Sequence, residues 1–250
     1  LVLMGEAAEK TPFVLIKNAP VKFTNKMQKR NEIFIEPDKC LFRGMYNESM
    51  NQQTGKKFKI AVLASTRGTV LQTIIDEIKT GRLNVELACV LSDKKNCFAL
   101  ERARTQGFKT HWISKKDKTR EEFDLEMARI LKAENIDLIV LVGYMRILTP
   151  SFVNEFRGKI INVHPALLPK FGGKDFFGNN VHSAVLKSGE KETGMTIHFV
   201  DENVDGGEII LQKKCPVKLG DTPDTLKARV QALEKEWYSK VIQNFANKSR

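Results

Sequence analysis

Three stretches of this 250-residue chain carry side chains suited to chemistry. In residues 159–173, β-branched Ile160, Ile161 and Val163 run into Pro165 and Pro169, which remove backbone donors and end the strand. Asn162 and His164 lie two residues apart at that strand end, so they point to one side of it. Ligands of open α/β sheets bind at the carboxyl ends of strands, and chemistry is expected to start there. The same pair also reads as core residues satisfied by hydrogen bonds. Residues 196–211 read as two strands, one with Ile197 and Phe199, the other with Ile209, Ile210 and Leu211, joined by an acidic loop that ends in glycine. Asp205 is the tip of that loop, and Gly206 and Gly207 after it permit backbone conformations and close ligand approach denied to other residues. Asp before Gly is also ordinary turn chemistry. His198 reads either as a core histidine or as the group orienting Asp205, while Asp201 and Glu202 read as solvated. The third stretch, Ser65-Thr66-Arg67-Gly68-Thr69-Val70, places hydroxyls and a glycine between a strand and a helix. Helix N-terminal N–H groups and the helix dipole favour an anion at such a turn, although an ordinary capped turn has the same composition. It lacks the three glycines of a dinucleotide fingerprint and the Gly-Lys-Ser/Thr of a P-loop, which predicts a lone phosphate rather than NAD or ATP.

The elements that must hold these stretches alternate from residue 58 onward. The apolar run at 58–64 is followed by Val70, Leu71, Ile74, Ile75 and Ile78 at helical spacing, with Thr80-Gly81 as the stop. A strand is expected at 85–91, a helix at 97–106, a short strand at 109–113, and a helix at 119–134 carried by Phe123, Met127, Ile130 and Leu131. Residues 136–142 are apolar almost throughout, as in a strand covered on both faces. A short helix after Pro150 and a final helix at 222–246 complete the pattern. Such alternation predicts an α/β fold with a doubly wound, mainly parallel, Rossmann-like sheet.

Residues 1–58 show no repeating core-facing pattern and read as an irregular extension with one short strand-like run at 13–16, leaving 59–250 as the folded domain. Lys22, Lys26, Lys29 and Arg30 there read as solvated coil. Met50 precedes a polar lead into the first strand, so the functional chain is expected to begin there; abundant peptides from residues 5–45 in mass spectra of native protein would refute that. The net charge of +11 points to anionic partners, but Lys and Arg are dispersed among acids, as in residues 115–122, so small phosphorylated substrates are expected and nucleic acid is not. Cys40, Cys89, Cys97 and Cys215 have no C-x-x-C spacing, which predicts reduced thiols and a cytoplasmic location. No run reaches the ~18 apolar residues of a membrane span, and no metal site is expected.

Asn162-Val163-His164-Pro165 with Leu167-Leu168-Pro169, then His198-Phe199-Val200 and Asp205-Gly206-Gly207, resembles the folate-dependent formyltransferases. The likeness covers roughly residues 59–246 and includes Gly143-Tyr144-Met145-Arg146-Ile147-Leu148 and Arg229-Val230-Gln231. It implies transfer of a formyl group from 10-formyltetrahydrofolate, as cosubstrate, to the amine of glycinamide ribonucleotide in purine synthesis, by a monomer or homodimer. Amine attack on a formyl carbonyl creates an oxyanion that needs preorganised donors, the role implied for Asn162 and His164. Asp205 would carry the amine proton to the departing folate nitrogen, directly or through water, and favour a protonated His164. By the same resemblance Met145, Arg146, Ile147 and Leu148 line the folate cleft, Arg120 meets the folate's acidic end, and backbone from Asp201 through Glu202, Asn203 and Val204 to Asp205 holds the pterin. Ser65, Arg67, Gly68, Thr69 and Val70 form the turn that takes the substrate phosphate, with Lys170 near it and Gln231 and Glu234 on the ribose and phosphate side.

The family's first turn is usually richer in glycine and ends in Asn; here Thr66, Arg67 and Val70 stand instead, removing one amide donor for which Arg67 is the available substitute. Residues 175–178 also depart from the family's usual continuation. Other acceptors share the same centre: a sugar-nucleotide amine, methionyl-tRNA, or water in formyltetrahydrofolate hydrolysis. The tRNA and hydrolase enzymes normally carry a further domain, and none is expected from this sequence. A basic binding module of the same fold without activity is the alternative of a different class, and the intact Asn162, His164 and Asp205 argue against it.

Overall fold

A computed structural model describes residues 57–249; the run at 13–16, Cys40, Met50 and nearly all of the expected extension lie outside the described residues. The elements are β1 (Lys59–Leu63), α1 (Thr69–Lys79), β2 (Glu86–Ser92), α2 (Phe98–Thr105), β3 (Thr110–Trp112), α3 (Arg120–Ala133) and β4 (Leu138–Leu141). They continue as α4 (Pro150–Glu155), β5 (Ile160–His164), α5 (Asn179–Lys187), β6 (Glu192–Phe199), β7 (Ile209–Pro216) and α6 (Pro223–Lys248). The seven strands form one sheet in the order β3-β2-β1-β4-β5-β6-β7. Pairing is parallel from β3 to β5, whereas β6 and β7 are antiparallel to their neighbours. Since the chain winds from β1 out to β3 and then crosses to β4, the strand order reverses between β1 and β4, the point at whose carboxyl ends open α/β sheets bind ligands.

Strand parity explains why both faces are covered. Ile60 and Val62 of β1 and Leu138 and Val140 of β4 join a core with Leu71, Ile74 and Ile75 of α1 and Val230, Tyr238 and Ile242 of α6. Ala61, Leu63, Ile139 and Leu141 point the other way, into a core with Phe123, Met127 and Leu131 of α3 and Phe152 of α4. The buried Tyr238 hydroxyl lies 3.0 Å from the Leu141 carbonyl oxygen and 3.1 Å from that of Ile161, pinning α6 beneath the ends of β4 and β5. Thr119 caps α3 in a reciprocal box with Glu122, and Thr222 caps α6 the same way with Thr225.

The expected elements form with shifts of one or two residues at most of their ends, and β7 runs on past the expected Leu211 to Pro216. One further helix, α5, has only Val181 and Val185 as buried apolar residues, too short a repeat to stand out in sequence, and β6 begins at Glu192, ahead of its apolar part. Cys89, Cys97 and Cys215 are free, buried thiols, and burial pushes Cys89 up to about 12. Among the described residues no helix is long and apolar enough to cross a membrane.

Candidate active site

Asn162 and His164 continue the Ile160 face of β5, and Asp205 reaches them from the β6–β7 loop. Asp205 has φ 57°, a left-handed conformation that Asp tolerates better than most residues. His164 Nδ1 is 3.3 Å from Asp205 Oδ2, and its Nε2–H donates to the Phe171 carbonyl oxygen at 2.7 Å. The Gly173 N–H donates to the same Asp205 oxygen at 3.0 Å, so residues 171–173 hold both the His164 and the Asp205 side chains.

His198 takes a role nearer to Asn162 than the sequence suggested. Its Nδ1–H donates to the Phe199 carbonyl oxygen at 2.8 Å, which leaves Nε2 as the acceptor for the Asn162 amide N–H at 3.1 Å. That bond fixes which end of Asn162 is the NH2 and leaves its second hydrogen for a ligand. His198 Nε2 stands 3.6 Å from Asp205 Oδ1. The close approach permitted at Gly207 serves the fold as well: a Cβ there would run into the Phe199 carbonyl.

Electrostatics correct one expectation. Burial holds His164 below the ordinary imidazole value, outweighing the upward pull of Asp205 and the Phe171 carbonyl, so the ring is neutral at neutral pH rather than held protonated by its carboxylate. Both ring nitrogens nevertheless face acceptors, and a neutral ring has a proton for only one of them. For Asp205, burial pushes upward, but the neighbouring His198 and His164 rings and the Gly173 N–H together outweigh it and hold the carboxyl below its ordinary value, ionised at neutral pH. Among the described residues no group of three His, Cys, Asp or Glu is arranged to hold a metal ion.

Two surfaces flank this centre. On the β4 side Met145 and Ile147 are exposed, and Val204 is exposed in the β6–β7 loop, whereas Leu148 is buried. Large apolar side chains left open beside a polar centre suit an aromatic ligand. Arg120 donates to the Ile147 carbonyl oxygen at 2.9 Å, bracing that loop, and Arg146 lies over the Phe123 ring at 4.1 Å with its buried Nε–H unpartnered. Asp201 is half-buried and Glu202 and Asn203 are exposed; the Asn203 N–H donates to Asp201 Oδ1 at 2.8 Å.

On the other side, Gly68 opens α1 at φ 65° and no side chain caps the helix, so the turn is not the capped one its composition also allowed. A Cβ on Gly68 would sit 2.8 Å from Ala99 Cβ. The first intrahelical bond is from the Gln72 N–H to the Gly68 carbonyl oxygen at 2.9 Å, leaving the N–H groups of Thr69, Val70 and Leu71 ahead of it. Val70 turns its side chain into the core and Arg67 is exposed. Ser65, expected to touch substrate, is instead only 3% exposed, its hydroxyl bonded within the protein. Lys170 donates to Glu190 Oε1 at 2.9 Å. Gln231 is half-buried on α6, and the buried carboxyl of Glu234 on the same helix is pushed up to about 7 by burial. The sequence did not single out the Phe171 carbonyl, the Gly173 N–H or Asp93; the first two lie within the stretch 159–173, but backbone groups have no residue-type signal.

A formyl transferase family model matches residues 58–242, and the chain belongs to that family. Phosphoribosylglycinamide formyltransferase of Escherichia coli (strain K12) is 42% identical over 189 residues, 75% of this chain and 87% of that protein. The Homo sapiens trifunctional purine biosynthetic protein adenosine-3 is 40% identical over 193 residues, 77% of this chain but 19% of that much longer protein. The crystal structure of glycinamide ribonucleotide transformylase 1 from Symbiobacterium toebii superposes with a TM-score of 0.74 at 37% identity, covering 81% of this chain and 94% of that one.

Proposed function

We propose that this enzyme transfers the formyl group of 10-formyltetrahydrofolate to the amine of glycinamide ribonucleotide, a step of purine synthesis. The observation that carries the reading is the interlocked set of Asn162, His198, Asp205 and His164 at the end of β5, between an open apolar loop and an uncapped helix start. As the amine nitrogen bonds to the formyl carbon, the carbonyl oxygen gains negative charge. The Asn162 amide hydrogen not held by His198 donates to it. The same charge favours the doubly protonated His164 ring against the effect of burial, so the ring takes a proton from water as the oxyanion forms and returns it when the carbonyl is restored. Asp205, ionised and held by the Gly173 N–H, accepts the proton released by the amine, directly or through one water. Collapse of the intermediate breaks the bond to the folate nitrogen, which receives that proton.

Met145, Arg146, Ile147 and Leu148, with the loop from Asp201 to Val204, form the folate side and Arg120 faces its acidic end. Gly68, Thr69, Val70 and Arg67 form the phosphate side, with Lys170, Gln231 and Glu234 contributing to the ribose and phosphate. The test is turnover of 10-formyltetrahydrofolate by the full chain with glycinamide ribonucleotide, an amino-sugar nucleotide, methionyl-tRNA or water as acceptor. Formylated glycinamide ribonucleotide as the main product is expected; turnover that ignores this acceptor would overturn the assignment.

A further inference from the structure

The Ser65 hydroxyl joins three strand ends. It donates to Asp93 Oδ1 at 2.6 Å, just past β2, and accepts from the Met145 N–H, just past β4, at 3.0 Å. Beside it, the Ser65 N–H donates to the Gly143 carbonyl oxygen at 3.1 Å. A hydroxyl has one proton, and a carboxylate only accepts, so Asp93 fixes where that proton points. The lone pair is thereby turned to Met145, the first residue of the apolar loop. Three residues after Ser65 comes Gly68, which opens α1. One buried hydroxyl therefore ties the turn on the acceptor side to the loop on the folate side, at the place where the strand order reverses.

We infer that Ser65 and Asp93 are positioning residues that couple the two substrate subsites: Asp93 orients the Ser65 hydroxyl, which holds the Met145 N–H and so sets the folate loop against the phosphate turn. Ordering of the turn by one substrate then places the loop for the other, and the coupling is reciprocal. The inference rests on the two-subsite reading above. Ser65 itself does not reach substrate, because its hydroxyl is buried and both of its bonds are internal.

The experiment measures the Kd of tetrahydrofolate by calorimetry, with and without saturating glycinamide ribonucleotide, for the full chain and for Ser65→Ala, Asp93→Ala and Asp93→Asn, below the melting temperature of every variant. In the parent the acceptor is expected to shift the folate Kd. Ser65→Ala should weaken tetrahydrofolate about three- to tenfold, the scale of one lost hydrogen bond, and bring the ratio of the two Kd values toward one. Asp93→Ala should do the same, while Asp93→Asn, whose amide oxygen still accepts the hydroxyl, should keep most of the coupling. A merely structural role would lower Tm and leave both Kd values in place, which overturns the inference, as does a parent with a ratio of one. If Ser65→Ala does not fold, the contrast between the two Asp93 variants decides. A parent that never formylates glycinamide ribonucleotide refutes the function, whereas an active parent with an unaltered Ser65→Ala refutes only the coupling.

Discussion

The end of β5 and the start of α1 lie on the same rim of the sheet and solve different problems with different groups. At β5, side chains act: an amide, two imidazoles and a carboxylate, each oriented by another or by a backbone group of residues 171–173. At α1 only the backbone is on offer, since Val70 faces the core, Ser65 is bonded internally, and no side chain caps the N–H groups of the first turn. A transition state needs donors and a proton carrier fixed at one point, which side chains locked in a buried network provide. A phosphate needs only positive potential and several N–H groups, which any helix start can provide. The first region should therefore fail abruptly when one atom changes, and the second should degrade gradually.

The largest expected effect is at Asp205. Asp205→Asn keeps the size of the side chain and an oxygen for the Gly173 N–H but cannot take a proton near neutral pH. Its kcat should fall by about 10²- to 10⁴-fold, the usual contribution of a positioned acid–base group, with tetrahydrofolate affinity retained. Steady-state kinetics with calorimetry on the same preparation check this; near-normal turnover would mean that the proton leaves by another path.

The contrast also separates what could be read in the sequence from what could not. The sheet was legible because alternating strand residues such as Ile60 and Ala61, and α1 residues such as Leu71 and Ile75, repeat with the periods of their elements. Helix α5 was not, because its start, Asn179-Asn180, has poor helix formers and its packing is decided by α6 far along the chain. At the centre, side-chain type named Asn162, His164 and Asp205. The charge of His164 stayed hidden, because burial is a tertiary quantity that here outweighs the neighbouring carboxylate. Ser65 was misread for a related reason: its partner Asp93 is 28 residues away, and no local pattern says that its hydroxyl turns inward.

Burial at the centre also predicts an acid sensitivity that the α1 turn lacks. His182 on α5 is buried, and burial first, then Lys227 and His164, bring it from 6.5 down to about 4. A depressed folded value means that the unfolded chain binds the proton first. Stability from this group is thus complete above pH 6.5 and is lost as pH falls to about 4, by at most roughly 3 kcal/mol. His164 and Asp205, also shifted down, act with the same sign, while Glu234, raised to about 7, opposes them by favouring the folded state as pH falls below 7. Urea unfolding from pH 7 to pH 4 should show His182→Asn losing less stability than its parent; parallel curves would place the acid sensitivity elsewhere.

Gly68→Ala tests the turn's backbone more harshly than any side-chain change there. The new Cβ meets Ala99 at a φ of 65°, a strain of roughly 1–3 kcal/mol that should lower Tm and raise the KM for glycinamide ribonucleotide more than that for folate. Equal rises in both would mean that the turn does not belong to one substrate. The mildest change is Arg67→Ala. Arg67 has an exposed side chain, and its carbonyl oxygen accepts from Arg102 Nε–H at 2.8 Å, so the turn keeps its path when the side chain is removed. If the backbone carries most of the phosphate and Arg67 supplies the charge in place of the amide absent at Val70, the KM for glycinamide ribonucleotide should rise about three- to tenfold at low salt. At ~0.5 M salt that difference should shrink, because the attraction of an exposed charge is screened while short hydrogen bonds from backbone N–H groups are screened much less. A KM unchanged at low salt would assign phosphate recognition to the N–H groups of α1 alone.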